Sequence, residues 1–246
     1  MFALASRMMA MLVAGVCLTA CVTQREHVIA PETQGIVIDA SSGKPVSGAQ
    51  VRYEEVPAIA STVTAQDGTF ALPGLTDKRT IVAMPMGGVY RDSALVLASA
   101  PGLADGYASA AFINGGQPAE ALYRVVLVMF PQNADDTPLH GLMQDCLQGA
   151  AQDHALHLSA YVAGLDPQNP PGWLDAQTAE ALDEHLRLTL PSSGFTACGR
   201  WEEAYEMFRA QREPLNAILQ AAYAEKLSQA LGPAEPTEAD QADAGR

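Results

Sequence analysis

His154 and His157 stand three positions apart in Asp153-His-Ala-Leu-His157, so a helix would set both imidazoles on one face. Two such ligands with a carboxylate would hold a zinc ion that activates water. The glutamate that zinc proteases carry between their histidines is missing. Asp145 lies further up the same stretch, and His185 lies elsewhere. The plainer reading, a histidine pair on a solvated helix face, is favoured. Glu180, Asp183 and Glu184 offer paired carboxylates, yet an acidic helix face in water accounts for them. Ser192 and Ser193 sit in a Ser-Ser-Gly turn without the strand-to-helix elbow that activates a serine. Asp67 is accounted for by turn chemistry before calcium ligation. Trp173, between Gly172 and Leu174, reads as a helix-entry staple before a docking aromatic. Met84, Met86 and Met129 do not form a copper-type cluster. The sequence has no phosphate loop and no dinucleotide fingerprint. These residues point away from an enzyme, with no cofactor and no metal expected. A metal-dependent hydrolase using His154 and His157 is the alternative.

The chain has 246 residues, 48% apolar and 17% charged, which predicts a folded core rather than general disorder. Its formal charge of −14 repels phosphate backbones and argues against nucleic acid as a partner. The first twenty residues differ from the rest. Met1–Arg7 carries one positive charge, and Met8–Ala20 is an uncharged apolar run. A stable span needs about 20 apolar residues, so this shorter run reads as the core of a signal peptide over residues 1–20.

The run ends in Leu18-Thr19-Ala20-Cys21, which resembles the lipobox of bacterial lipoproteins. That resemblance implies cleavage before Cys21, diacylglycerol on its sulfur and acylation of the new amine. Two or more acyl chains anchor stably where one binds only marginally. The partner is therefore a membrane, reached through Cys21. Val22 follows the cysteine where an aspartate would favour inner-membrane retention, so the expected place is the outer membrane, facing the periplasm. Cys17 leaves with the signal peptide and Cys21 is lipidated, which leaves Cys146 and Cys198. In an exported chain the two are expected to pair as a disulfide. The bridge would close about 52 residues, worth roughly 4 kcal/mol in the chain-entropy picture. A metal site is the alternative, but no close Cys or His spacing supports it.

The elements that must position these groups fall into two blocks, an α+β chain of two domains. Residues 21–33 read as a polar tether. Residues 34–131 read as all-β: Gly35–Asp39, Ala49–Glu54, Ser61–Thr64, Thr69–Leu72, Thr80–Met84, Ser93–Ser99, Tyr107–Phe112 and Leu122–Phe130 are strand candidates, and Asp67-Gly68 marks a hairpin. Gly35-Ile-Val-Ile-Asp39, Ser42-Gly-Lys-Pro-Val46, Gly48-Ala-Gln-Val51, Gln66-Asp-Gly-Thr-Phe-Ala-Leu72 and Gly74-Leu75 together resemble the carboxypeptidase regulatory-like domain. The resemblance implies a transthyretin-like, immunoglobulin-like β-sandwich with no shared active site. It weakens in the second half, where Met84–Val89 and Asn114–Pro118 read as insertions.

Asn133–Pro138 marks a boundary, and residues 135–231 read as a helical domain stapled by Cys146–Cys198. Its helix candidates are Leu139–Leu165, Asp175–Leu190 with Asp175 as N-cap, and Gly199–Leu231 interrupted at Pro214. Residues 232–246 read as a disordered acidic tail. The function these readings favour is a membrane-anchored envelope lipoprotein, non-enzymatic, that binds another protein or supports assembly. A periplasmic inhibitor or immunity-type lipoprotein and a carbohydrate-binding module are further alternatives.

Overall fold

Alternating apolar side chains put every second residue of Gln50–Tyr53 and Thr69–Leu72 indoors: Val51, Tyr53, Phe70 and Leu72 are buried and their neighbours exposed. In the computed structural model, which describes residues 22–82, 90–114, 123–132, 141–190 and 198–231, those strands belong to an α+β fold. The described strands are β1 (Val22–Ala30), β2 (Thr33–Asp39), β3 (Gln50–Tyr53), β4 (Thr62–Val63), β5 (Thr69–Leu72), β6 (Leu75–Val82), β7 (Tyr90–Ser99), β8 (Gly106–Asn114) and β9 (Tyr123–Met129). The described helices are α1 (Gly149–Ala163), α2 (Ala176–Thr189) and α3 (Trp201–Leu231).

One sheet has the order β5-β2-β9, with β2 antiparallel to β5 and parallel to β9. A second sheet, β4-β3-β7-β8, is antiparallel throughout. The inner faces share one apolar cluster that includes Val37, Val51, Tyr53, Phe70, Val96, Ala110 and Leu127. The turn at Asp67-Gly68 forms, with Asp67 accepting from the Thr69 amide at 3.1 Å and its hydroxyl at 2.7 Å, but it is not the expected hairpin, because β4 before it and β5 after it lie in different sheets. Gly68 has φ of 74°, and a Cβ there would stand 2.8 Å from the Val37 carbonyl oxygen.

The outer face of β2 and β9 is as apolar as the inner one. Ile38, Val126, Val128 and Phe130 join Leu156, Leu158, Leu182, Leu186, Ile218 and other helical residues in a single cluster. The helices therefore complete their core against the sheet. Strand β8 carries Ala108 and Ala110 towards the other sheet and the small Ser109 towards α2.

Residues 22–33, read as a tether, contain β1, which pairs antiparallel with β6 from Val22↔Val82 to Ala30↔Leu75. Beyond the sandwich this ribbon exposes Gln24, Arg25 and Glu26 on one strand and residues 76–80 on the other. The first helix begins at Gly149 rather than Leu139. Residues 141–148 form turns instead, and the Asp153 carboxylate draws that segment back by accepting the Met143 amide at 2.6 Å. Cys146 thus precedes α1 rather than lying in it. Helix α2 starts where Asp175 caps the amides of Gln177 and Thr178 at 3.0 and 2.8 Å. Pro214 lies inside α3 without ending it, on the exposed side. No described helix is long and apolar enough to cross a membrane. The signal segment with Cys21, Met84–Val89, the Gly115–Pro118 insertion, the boundary at 133–138, Ser192, Ser193 and the acidic tail lie outside the described residues.

Cys146 and Cys198 are bonded to each other. The bridge fastens the start of α3 to the turn before α1, and Asp145 adds a hydrogen bond to the Gly199 amide at 2.7 Å. With the cysteines 52 positions apart, the Cys146→Ser/Cys198→Ser chain should lose about 4 kcal/mol of unfolding free energy in urea titration. An unchanged midpoint would show that packing alone holds α3 in place.

Candidate functional site

Strands β8 and β9 are edge strands of different sheets that lie side by side, and no ladder joins them among the described residues. Their outward backbone groups need partners, because a buried unpaired amide or carbonyl costs about 1–3 kcal/mol. Histidines from the helical layer supply them. His154 of α1 places Nε2 2.8 Å from the Val128 carbonyl of β9. His185 of α2 accepts the Ser109 amide of β8 at Nδ1, 3.0 Å away. The Ser109 and Thr189 hydroxyls lie 3.1 and 3.0 Å from the same nitrogen. Gln152 closes the cluster through the Thr189 carbonyl at 3.3 Å.

These bonds assign the protons. A carbonyl only accepts, so His154 carries its proton on Nε2; an amide only donates, so His185 carries its own there too. His154 Nδ1 and His185 Nε2 are buried and have no hydrogen-bond partner. Burial pushes His154 down to about 4, against the pull of its Val128 bond. Burial, then the neighbouring His154, pushes His185 down to about 3. Both rings are neutral near pH 7. His185 is a poor base for Ser109, because its Nδ1 lone pair is already used by the serine's own amide. The solvated-face reading of the histidine pair therefore fails for His154, which is 8% exposed. His185 had no role in the sequence reading. Its signal was the spacing Leu182-His185-Leu186-Thr189, which puts it on the buried face of α2.

His157, one turn on, stacks on Phe130 with centroids 3.8 Å apart and planes within 13°. His154 meets Tyr107 edge-on at 5.7 Å. These four rings line a cleft of about 400 Å³ between the β8–β9 edge and α1, flanked by the carboxylates of Asp105 and Asp153. Asp105 accepts the Ser99 hydroxyl at 2.7 Å. The Tyr107 phenol is pushed up by burial and by the nearby carboxylates of Glu54 and Asp105. Such a cleft offers acceptors, negative charge and ring faces, and it suits a cationic or donor-rich group.

The other residues singled out by sequence are dispersed. Glu184 is not solvated as expected: it accepts the Tyr123 hydroxyl at 2.6 Å and pairs with Arg91, tying α2 to β9 and β7. Asp183 pairs with Arg187 at 3.2 Å on the surface. Trp173 packs on the helical core and lines a second cavity of about 360 Å³ beside Arg124 and Gln177. Met129 is core. Among the described residues the one cluster of three possible metal ligands is Asp145 with Cys146 and Cys198, whose sulfurs are spent on each other. Compared with known proteins, the chain matches no family model and no curated sequence.

The two neutral histidines make stability depend on pH. The unfolded chain binds protons below the ordinary imidazole value of about 6.5, where the folded chain does not. Stability is therefore full above that value and falls as pH drops, until the folded-state values near 4 and 3 are reached. Between pH 7 and pH 5 each histidine should contribute a loss of about 2 kcal/mol. Urea unfolding of His154→Gln and His185→Gln beside the parent chain checks this. Each variant should show a shallower decline over that window, and parallel curves would refute it.

Proposed function

We propose that this chain is a cell-envelope lipoprotein, cleaved before Cys21, that binds another protein through the cleft between its sheets and helix α1. The lipobox Leu18-Thr19-Ala20-Cys21, at the end of an uncharged apolar run, supports the anchor. Val22 after the cysteine favours the outer membrane, facing the periplasm. The two facing sheets are compatible with the transthyretin-like sandwich implied by the resemblance in residues 34–131, and such domains serve as accessory modules.

The observation that carries the binding function is the cleft itself. It joins the exposed carboxylate of Asp105 and the half-buried one of Asp153 to a stacked aromatic wall at the seam of two layers, a common place for recognition. The chemistry beside it speaks against hydrolysis. Among the described residues His154 and His157 belong to no group of three possible metal ligands, and the serine next to His185 is buried beneath the helix. Within this reading, an inhibitor of a basic periplasmic protein is the form that an acidic chain favours.

Crosslinking in cells followed by capture of the intact protein, beside Cys21→Ala, is the test. A defined protein captured with the parent chain, and lost or reduced with the unanchored variant, is the expected result. Absence of any partner together with stoichiometric metal on the purified chain would overturn it.

A further inference from the structure

We infer that the cleft is a receptor for a guanidinium group, so that an arginine side chain of the partner is what it grips. This rests on the protein-binding reading above and names the chemistry of that contact.

Three kinds of group converge there. The first is charge: Asp105 and Asp153 put carboxylates on the two sides of the opening. Each is already oriented, Asp105 by Ser99 and Asp153 by the Met143 amide, so neither must be ordered when a ligand arrives. The second is the stacked pair of Phe130 and His157, with Tyr107 beside it, which offers flat faces of the dimensions of a guanidinium plane. The third is His154. It lines the cleft, is more than nine-tenths buried, and keeps one ring nitrogen without any partner. Its other nitrogen donates to Val128 and the unpartnered one is shielded from solvent, so the ring gives the cleft a neutral aromatic wall and no hydrogen bond.

The cleft thus combines carboxylate acceptors with ring faces and carries negative charge. A ligand that satisfies it must be positive, flat and furnished with several donors pointing in different directions. A guanidinium has five N–H donors in one plane, no acceptor, and a weak hydration shell. An ammonium is a compact, strongly hydrated point charge and would leave the ring faces unused. Anions are disfavoured by the two carboxylates and by the chain's net charge of −14.

The test titrates the full lipoprotein in detergent with N-acetyl-arginine methylamide, and with the lysine and citrulline analogues. Calorimetry and the ring resonances of His154 and His157 are followed. The arginine compound should bind and shift both rings, and the lysine and citrulline analogues should bind about tenfold more weakly. Asp105 is exposed, so Asp105→Asn should keep the parent's unfolding midpoint and weaken arginine binding about tenfold. His157→Ala should weaken it as well. Equal affinity for lysine, no effect of Asp105→Asn, or no movement of either ring at saturating ligand would overturn the assignment. The two levels separate cleanly. A partner captured in cells equally well by Asp105→Asn keeps the binding function and removes this site. Arginine binding to a chain that captures no partner keeps the site and removes the function.

Discussion

The structure depends on how the backbone of β8 and β9 is satisfied. Two sheets meet along these strands with no ladder between them among the described residues, and only just past the strand ends does Ala104 donate to the Phe130 carbonyl, which leaves outward amides and carbonyls inside the molecule. Water cannot reach them once the helices are in place. A side chain that both donates and accepts at ring positions, and remains neutral when buried, answers both needs. His154 serves the carbonyl of Val128 and His185 serves the amide of Ser109. An aliphatic side chain in either place would fill space but leave the strand edge unpaired. The helical layer is thus part of the sandwich's hydrogen bonding as well as of its apolar core.

This arrangement makes the position of α1 a property of the strand edge. The bond to Val128 locates His154, and the helix carries Asp153 and His157 with it, four positions apart on one face. Glu184 locates α2 in the same way, through Tyr123 and Arg91. The disulfide acts at the other end, where α3 begins. The groups that line the cleft are consequently fixed from three directions, and little conformational freedom remains to be lost on binding.

Much of the framework was legible in the residues. Period-two alternation located β3 and β5, Asp-Gly located the turn that leads into β5, and Asp175 located the start of α2. The cysteine pair followed from counting. The site was less legible, for reasons of tertiary origin. Spacing placed His154 and His157 on one side of a helix, but it could not say that a strand edge would lie against that side. His185 is far from both in sequence and meets them through the fold, its ring 6.3 Å from that of His154. The start of α1 was misplaced because Leu142 and Cys146 continue the helical spacing, while the Asp153 side chain binds Met143 and holds the preceding residues in turns. Residues 22–30 looked like a linker because their polar, charged composition is what a ribbon exposed on both faces also requires.

That ribbon changes the mechanics of an anchored protein. A flexible linker behaves as a leash: its end wanders, and the body it carries samples every height and orientation the length allows. Paired strands rise about 3.3 Å per residue and resist bending. Because β1 is paired with β6 as far as Val22 while Val28, Ile29 and Ala30 pack on the sandwich, a lipid on the preceding residue, as proposed above, would hold the body on a mast of roughly 20 Å. Reach is exchanged for aim. The cleft would sweep a thin layer at one distance from the bilayer, and a partner confined to that layer would meet it at a far higher local concentration than one diffusing freely.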